Sequence, residues 1–202
     1  MFGPWSARSH KGFAFSLSLR CPREIEAPRF EAEALAFRGD VHRLAGRNRQ
    51  AVADLEQALL ISRRTGMAYL GPWYLGLLAV AADDPEVQAA ALEEGEAILA
   101  SNAVSHNHLQ FRRYAIDACL ASQDWPGADH HAARLDAFTR AEPLPWASFF
   151  IARGRALAAY GAGKISPSLH AEPRGLSKEG RRLGFIEAIR PIDAAVRSGV
   201  SA

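Results

Sequence analysis

The sequence is poor in cysteine and has no long apolar run. It contains two cysteines, Cys21 and Cys119, in 202 residues. A chain with no C-x-x-C pair and so few thiols is unlike a disulfide-stapled secreted domain, so we expect a reducing, cytoplasmic setting. No window approaches the roughly 18 apolar residues that a membrane-spanning helix needs, so no membrane partner is expected. The short apolar run at 13–19 is followed by Arg20, Cys21 and Pro22 rather than by a signal-peptide cleavage site.

An excess of one charge is also missing. The 24 basic residues nearly balance the 22 acidic ones, which leaves a formal charge of +2. Without a segregated basic patch, this balance does not favour a nucleic-acid surface. The apolar content of 49% is that of a globular chain, long enough for one core or a short stack of repeats.

Alternating apolar residues bounded by turns are not evident, so strands are not predicted. A helical period dominates instead, and the stretch 35–59 carries its most regular pattern. Small residues stand at Gly39, Ala51 and Ala58, with large apolar residues between them. Small positions let two helix backbones approach closely, and this spacing is that of a tetratricopeptide (TPR) repeat. The sequence predicts an all-α fold of antiparallel helix pairs, stacked as a short TPR-like α-solenoid.

The periodicity divides the chain into four parts. Residues 1–26 have no helical period and are predicted to be a poorly ordered leader. Residues 27–161 should form TPR-like helix pairs at about 27–66, 69–102 and 105–161, with Trp125, Ala128 and Trp146 at later repeat positions. Ala51 and Ala128 lie 77 positions apart, more than two 34-residue repeats, so an enlarged or irregular middle unit is expected. A loop at 162–175 and capping helices at 176–202 complete the prediction.

Catalytic motifs are lacking. The stretch 161–164, Gly-Ala-Gly-Lys, departs from a phosphate-binding loop at Ala158 and Ile165 and ends a helix where such a loop opens one. Cys119 is predicted to pack as a small apolar residue. No cofactor is expected, and the chain is predicted not to be an enzyme. A small histidine-dependent metal protein or enzyme remains the alternative, with ligands from His106, His108, His130 and His131.

Aromatic and arginine side chains are the candidates for binding. The concave face of a helical solenoid is a common binding surface. A peptide groove could be formed by Tyr74, Phe111, Arg112, Arg113 and Tyr114. The alternative for each of these residues is packing between repeats.

Five segments in the second half support a family resemblance. They read VSHNH at 104–108, QDW at 123–125, EPLPW at 142–146, FFIARGR at 149–155 and LA at 157–158. In these segments the chain resembles the C-terminal helical-repeat region of bacterial class III adenylate/guanylate cyclases, which carry a cyclase domain, an ATPase domain and TPR-like repeats in that order. The resemblance covers roughly 28–200. It implies a non-catalytic regulatory module, because no cyclase or ATPase motif is present.

We therefore expect a module for protein–protein interaction. Its partner would be a protein or peptide, or a neighbouring cyclase or ATPase domain. Residues 1–26 and 162–185 depart from the pattern of these cyclase tails. A truncated fragment without an independent role therefore remains an alternative.

Overall fold

The chain folds into helices throughout the part that the structure describes. The computed structural model describes residues 27–101, 103–164 and 167–199, without the side chains of 167–172, 198 and 199. These residues form nine helices and no strand, which confirms the all-α prediction. The helices are α1 (Pro28–Leu44), α2 (Asn48–Thr65), α3 (Met67–Ala81), α4 (Pro85–Ser101), α5 (His106–Ala121), α6 (Trp125–Thr139), α7 (Pro145–Gly161), α8 (Pro167–Arg182) and α9 (Ile186–Gly199).

Local sequence signals explain where several helices begin and end. Pro28, Pro85 and Pro145 each begin a helix, at a position where a missing N–H costs no hydrogen bond. Asp124 caps α6, since its Oδ1 accepts from the Gly127 N–H at 2.9 Å. After α2, Gly66 has a φ of 120°, a value that favours glycine. The chain can therefore reverse direction within one residue and enter α3.

The chain divides into two compact units after Asn107. In the first unit, α2 packs against α1 and α3, α3 also packs against α1, and α4 packs against α3. Arg29 of α1 donates to the Thr65 carbonyl at the far end of α2. Nearer the turn between the two helices, Arg38 donates to Asp54 at 2.7 Å. Early residues of α1 thus meet late residues of α2, so the pair is antiparallel.

Close packing in this pair depends on Gly39. A Cβ at Gly39 would lie 3.0 Å from Leu55 Cγ and 3.2 Å from the Ala51 carbonyl oxygen. Ala51, Leu55 and Ala58 are fully buried in α2. The small residues therefore mark the place where the two helices come closest.

In the second unit, α7 packs against α6, α8 and α9, and α8 packs against α9. One core cluster joins α5, α6 and α7 through Ile116, Ala132, Leu135, Ala147 and Ile151. A second cluster joins α7 and α9 through Phe149, Phe150, Ile189 and Ile192. Ser177 donates to Asp193 at 2.6 Å, which links α8 to α9. The core thus continues into the C-terminal helices.

Helix pairs recur with a regular period. The first helices of the four pairs begin at residues 28, 67, 106 and 145, which are 39 residues apart in each case. The equal spacing contradicts the expectation of an enlarged or irregular middle unit. The period is longer than 34 residues throughout, because these first helices have 15 to 17 residues each.

Residues one repeat apart touch in both units. In the first unit the rings of Phe37 and Trp73 meet edge to face at 5.6 Å, and the Asn107 amide donates to the Ala68 carbonyl. In the second unit, a Cβ at Gly154 would lie 2.7 Å from Ile116 Cγ2. Each of these pairs is 36 to 39 positions apart. In the first unit, α1 meets α3 and Asn107 meets α3, and in the second unit α5 meets α7.

The loop expected at 162–175 is shorter than predicted. Helix α8 already begins at Pro167 and continues through Pro173 and Gly175. Proline is tolerated in the first helical turn. Farther along α8, Leu176 and Leu183 pack against the second core cluster. This packing holds the helix across residues whose intrinsic propensity disfavours it.

We predict that Gly39→Val lowers the free energy of unfolding by about 2 kcal/mol, because the added carbons would overlap Leu55 and the α2 backbone. Urea unfolding followed by circular dichroism measures the change. Gly175→Ala is the matched control. A Cβ there would meet nothing within 4 Å, so this helical substitution should leave stability equal or higher by up to about 1 kcal/mol. Equal losses of stability in Gly39→Val and Gly175→Ala would contradict the close approach of α1 and α2 at Gly39.

A buried arginine gives a second prediction. Arg153 of α7 is 5% exposed, pairs with Asp117 of α5, and donates to the Ala188 carbonyl of α9 at 2.7 Å. Asp117→Ala should cost about 3 kcal/mol, because it leaves the buried guanidinium without its carboxylate. Asp129→Ala removes only an exposed contact to Arg155 at 3.9 Å and should cost less than about 0.5 kcal/mol. Equal urea midpoints for Asp117→Ala and Asp129→Ala would contradict a stabilising role of the buried Arg153–Asp117 pair.

Candidate interaction surface

The residues predicted to form a peptide groove do not line an open surface. Tyr74, Phe111, Arg112 and Tyr114 are each 3% exposed or less. Burial, followed by the charge of Glu33, raises the pKa of the Tyr74 hydroxyl. The groove prediction is therefore wrong for these four side chains, which pack inside the protein as the alternative proposed. Helical periodicity alone did not distinguish a binding face from a packing face.

The two arginines of this set have partners within the second unit. Arg112 lies against His131, with 3.1 Å between Nη1 and Nδ1. Since an arginine only donates, this Nδ1 is the acceptor. Arg113 lies 4.5 Å from the Tyr114 ring centre and 4.8 Å from that of Phe150. The guanidinium groups of both arginines therefore contact other side chains of the second unit.

The predicted repeat positions lie at helix contacts. Gly39, Ala51, Ala58 and Ala128 are buried, whereas Trp125 and Trp146 are half-buried. Trp125 covers Gly161, where a Cβ would come within 2.5 Å of the indole ring. Trp146 lies 4.9 Å from the Phe150 ring. These six residues therefore serve packing rather than chemistry.

The four histidines have different neighbours. His106 Nε2 lies 2.9 Å from the Tyr69 carbonyl oxygen, and His108 stacks on Phe138 with 4.5 Å between ring centres. His131 faces Arg112, and His130 meets His131 edge to face. Among the described residues, no group of three or more His, Cys, Asp or Glu side chains is placed to hold a metal ion. The contacts of these rings thus give the metal alternative no support.

Two further chemical candidates have structural roles. Gly161 ends α7, and the Lys164 N–H donates back to the Ala159 carbonyl, so the glycine-rich stretch closes a helix. Cys119 is 3% exposed. Burial, together with the charge of Asp124 and a hydrogen bond to it, raises the pKa of the Cys119 thiol to about 12. This cysteine therefore packs as predicted.

An exposed apolar stripe lies on α1. Phe30 is 62% exposed, Phe37 39% and Leu44 51%. Seven residues make nearly two helical turns, so these three side chains lie on one side of the helix. We call them the α1 face. Large apolar side chains clustered on one exposed side are typical of a surface that another molecule covers.

The α1 face continues onto α3 and into a cavity. Tyr69 is 45% exposed, and the Trp73 ring touches Phe37. At the N-terminal end of α1 lies a shallow, mainly apolar cavity of about 430 Å³ lined by Ala27, Pro28, Arg29, Phe30 and Thr65. Arg29 donates to the Thr65 carbonyl at 2.9 Å and lies 6.0 Å from the Tyr69 ring centre. Phe30 therefore belongs to both the stripe and the cavity.

The seven-residue spacing of Phe30, Phe37 and Leu44 is visible in the sequence. Apolar recurrence at three or four positions indicates a helix, but does not show which side of it is buried. The residues of α1 that are buried are Ala32, Ala34, Leu35, Ala36 and Gly39. Four of the five buried residues are small, and Leu35 is the large one.

Comparison with known proteins adds no relative. The chain matches no protein-family model, no curated protein and no solved structure. Within the described part of the chain, no helix has the length and apolar character needed to cross a membrane.

We predict that Cys119 is unreactive in the folded protein. In a Cys21→Ser background at pH 8, a disulfide reagent should label native Cys119 about a thousandfold more slowly than the urea-unfolded chain, because the thiolate is suppressed by burial. Burial raises the pKa of the folded thiol from its ordinary value near 9 to about 12. Between these values the unfolded state gains from deprotonation, so stability should fall as the pH rises. Rapid native labelling would contradict this burial.

Proposed function

We propose that the chain is a cytoplasmic, non-catalytic, TPR-like helical-repeat module that binds a protein partner. The observation that carries the proposal is contact between residues one repeat apart, as in Phe37 with Trp73 and Ile116 with Gly154. Repeats of this kind build binding surfaces from stacked helix pairs. The resemblance to cyclase tails supports the same class and adds a neighbouring cyclase or ATPase domain as a candidate partner.

The α1 face is the surface we propose for binding. A helix at a protein surface usually carries polar residues on its exposed side. The α1 face is instead aromatic and aliphatic, and exposed aromatic side chains frequently dominate binding energy at protein interfaces. Tyr69 and Arg29 at its border would add polar contacts around an apolar centre.

The test compares two surface variants of the tagged full chain, captured from its own cells. Phe30→Ser/Phe37→Ser/Leu44→Ser should lose a stoichiometric protein partner that the unaltered chain retains. Leu60→Ser is the matched control, because Leu60 is as exposed as Leu44 but lies on α2. It should retain the partner. Failure of the unaltered chain to retain any partner would contradict the function, and retention by the triple variant would contradict the surface.

A further inference from the structure

Arg113 of α5 is a half-buried cation without a hydrogen-bond acceptor. Its guanidinium lies against the rings of Tyr114 and Phe150, at 4.5 and 4.8 Å from the ring centres. Its Nε is buried and has no hydrogen-bond partner. The two Nη groups are not fully buried, and no described residue accepts a hydrogen bond from them. Because a charged donor left without an acceptor is costly, Arg113 has hydrogen-bonding capacity that the described chain does not use.

Other arginines of comparable burial do have acceptors. The described arginines that are not exposed donate as follows: Arg38 to Asp54, Arg43 to Asp40, Arg112 to His131 and Arg153 to Asp117. Exposed arginines are hydrated, so they need no acceptor from the protein. The missing acceptor is therefore particular to Arg113.

The surroundings of Arg113 strengthen an electrostatic contact. Tyr114 and Phe150 are each 3% exposed, so the guanidinium faces two buried rings instead of water on that side. Trp146 is half-buried and also contacts the Phe150 ring, at 4.9 Å. An apolar surface thus adjoins the cation. Opposite charges attract more strongly where water is partly excluded, and the rings hold the guanidinium in place.

The local charge balance favours a carboxylate over a phosphate as the ligand. Asp117 is the one acidic residue of α5 and is paired with Arg153. That pair is neutral overall, so Arg113 adds one unbalanced positive charge. A carboxylate carries one negative charge and fits a guanidinium through two parallel hydrogen bonds. A phosphate dianion would bring a second negative charge close to Asp117.

We propose that Arg113 anchors a second binding site, which takes the carboxylate of an acidic protein segment. The accessible Nη groups donate to the carboxylate oxygens, and Trp146 offers an apolar contact to a neighbouring residue of the ligand. The inference goes beyond the proposed function, because this site lies in the second unit and involves no residue of the α1 face.

A titration with two blocked tripeptides tests the site. The probes are acetyl-Leu-Glu-Leu-amide and its glutamine counterpart, added to the isotope-labelled full chain at constant ionic strength. The Nε–H resonance of Arg113, assigned by its loss in Arg113→Lys, should shift saturably with the glutamate peptide. The dissociation constant of that peptide should be about tenfold lower than that of the glutamine peptide. Equal binding of both peptides, or no shift with either, would overturn the proposal.

Variants locate the contact, with the Trp146 indole N–H resonance as the reporter. Arg113→Gln should weaken binding of the glutamate peptide about tenfold, because the charge is lost. Arg140→Gln is the control, since Arg140 is exposed beyond the end of α6, and it should leave binding unchanged. Circular dichroism checks that both variants are helical. If Arg113→Gln does not fold, the comparison of the two peptides on the unaltered chain still decides.

Inorganic phosphate separates the two classes of anion. It should bind the unaltered chain no more tightly than acetate does. Tighter binding of phosphate at Arg113 would contradict the assignment of a carboxylate.

This site and the α1 face fail in different ways. Phe30→Ser/Phe37→Ser/Leu44→Ser should bind the glutamate peptide as the unaltered chain does. If Arg113 binds no carboxylate but the α1 face binds a partner, the titration fails and capture succeeds. If the α1 face has no partner, capture fails while the titration still shows binding.

Discussion

The close approach of helices at small residues is the constraint on which this structure depends. At Gly39 a single additional carbon would meet Leu55 and the backbone of α2 at 3.0 to 3.2 Å. At Gly154 the same atom would meet Ile116 at 2.7 Å. Glycine weakens a helix by about 1 kcal/mol relative to alanine. Its presence in the middle of α1 and α7 is consistent with packing that offsets this cost.

Polar contacts follow from the same packing. Helices this close bury some arginines, and each buried cation needs an acceptor. Arg153 meets Asp117 and the Ala188 carbonyl, so it joins three helices of the second unit. Arg38 meets Asp54 across α1 and α2 with two hydrogen bonds. These pairs fix which helices face each other, and apolar contacts supply most of the burial.

Sequence reasoning predicted the helices better than it predicted their surfaces. Apolar recurrence without alternating runs was sufficient to predict helices and no strands, as found in the described residues. The start of α8 was missed, because Pro173 and Gly175 disfavour a helix that packing on Phe149 and Ile189 maintains. The groove prediction was wrong because aromatic residues such as Tyr74 and Phe111 fit a core as well as a binding face. Both are buried. Which side of a helix is buried depends on its neighbours, and periodicity does not report them.

Side-chain proximity across one repeat is the most direct test of this account. Nuclear Overhauser effects should connect the Phe37 and Trp73 rings, whose centres are 5.6 Å apart. They should also connect the Arg113 side chain with the Phe150 ring at 4.8 Å. Observation of both would support first helices packed one repeat apart. Helices formed at the same residues but without either connection would contradict the repeat architecture.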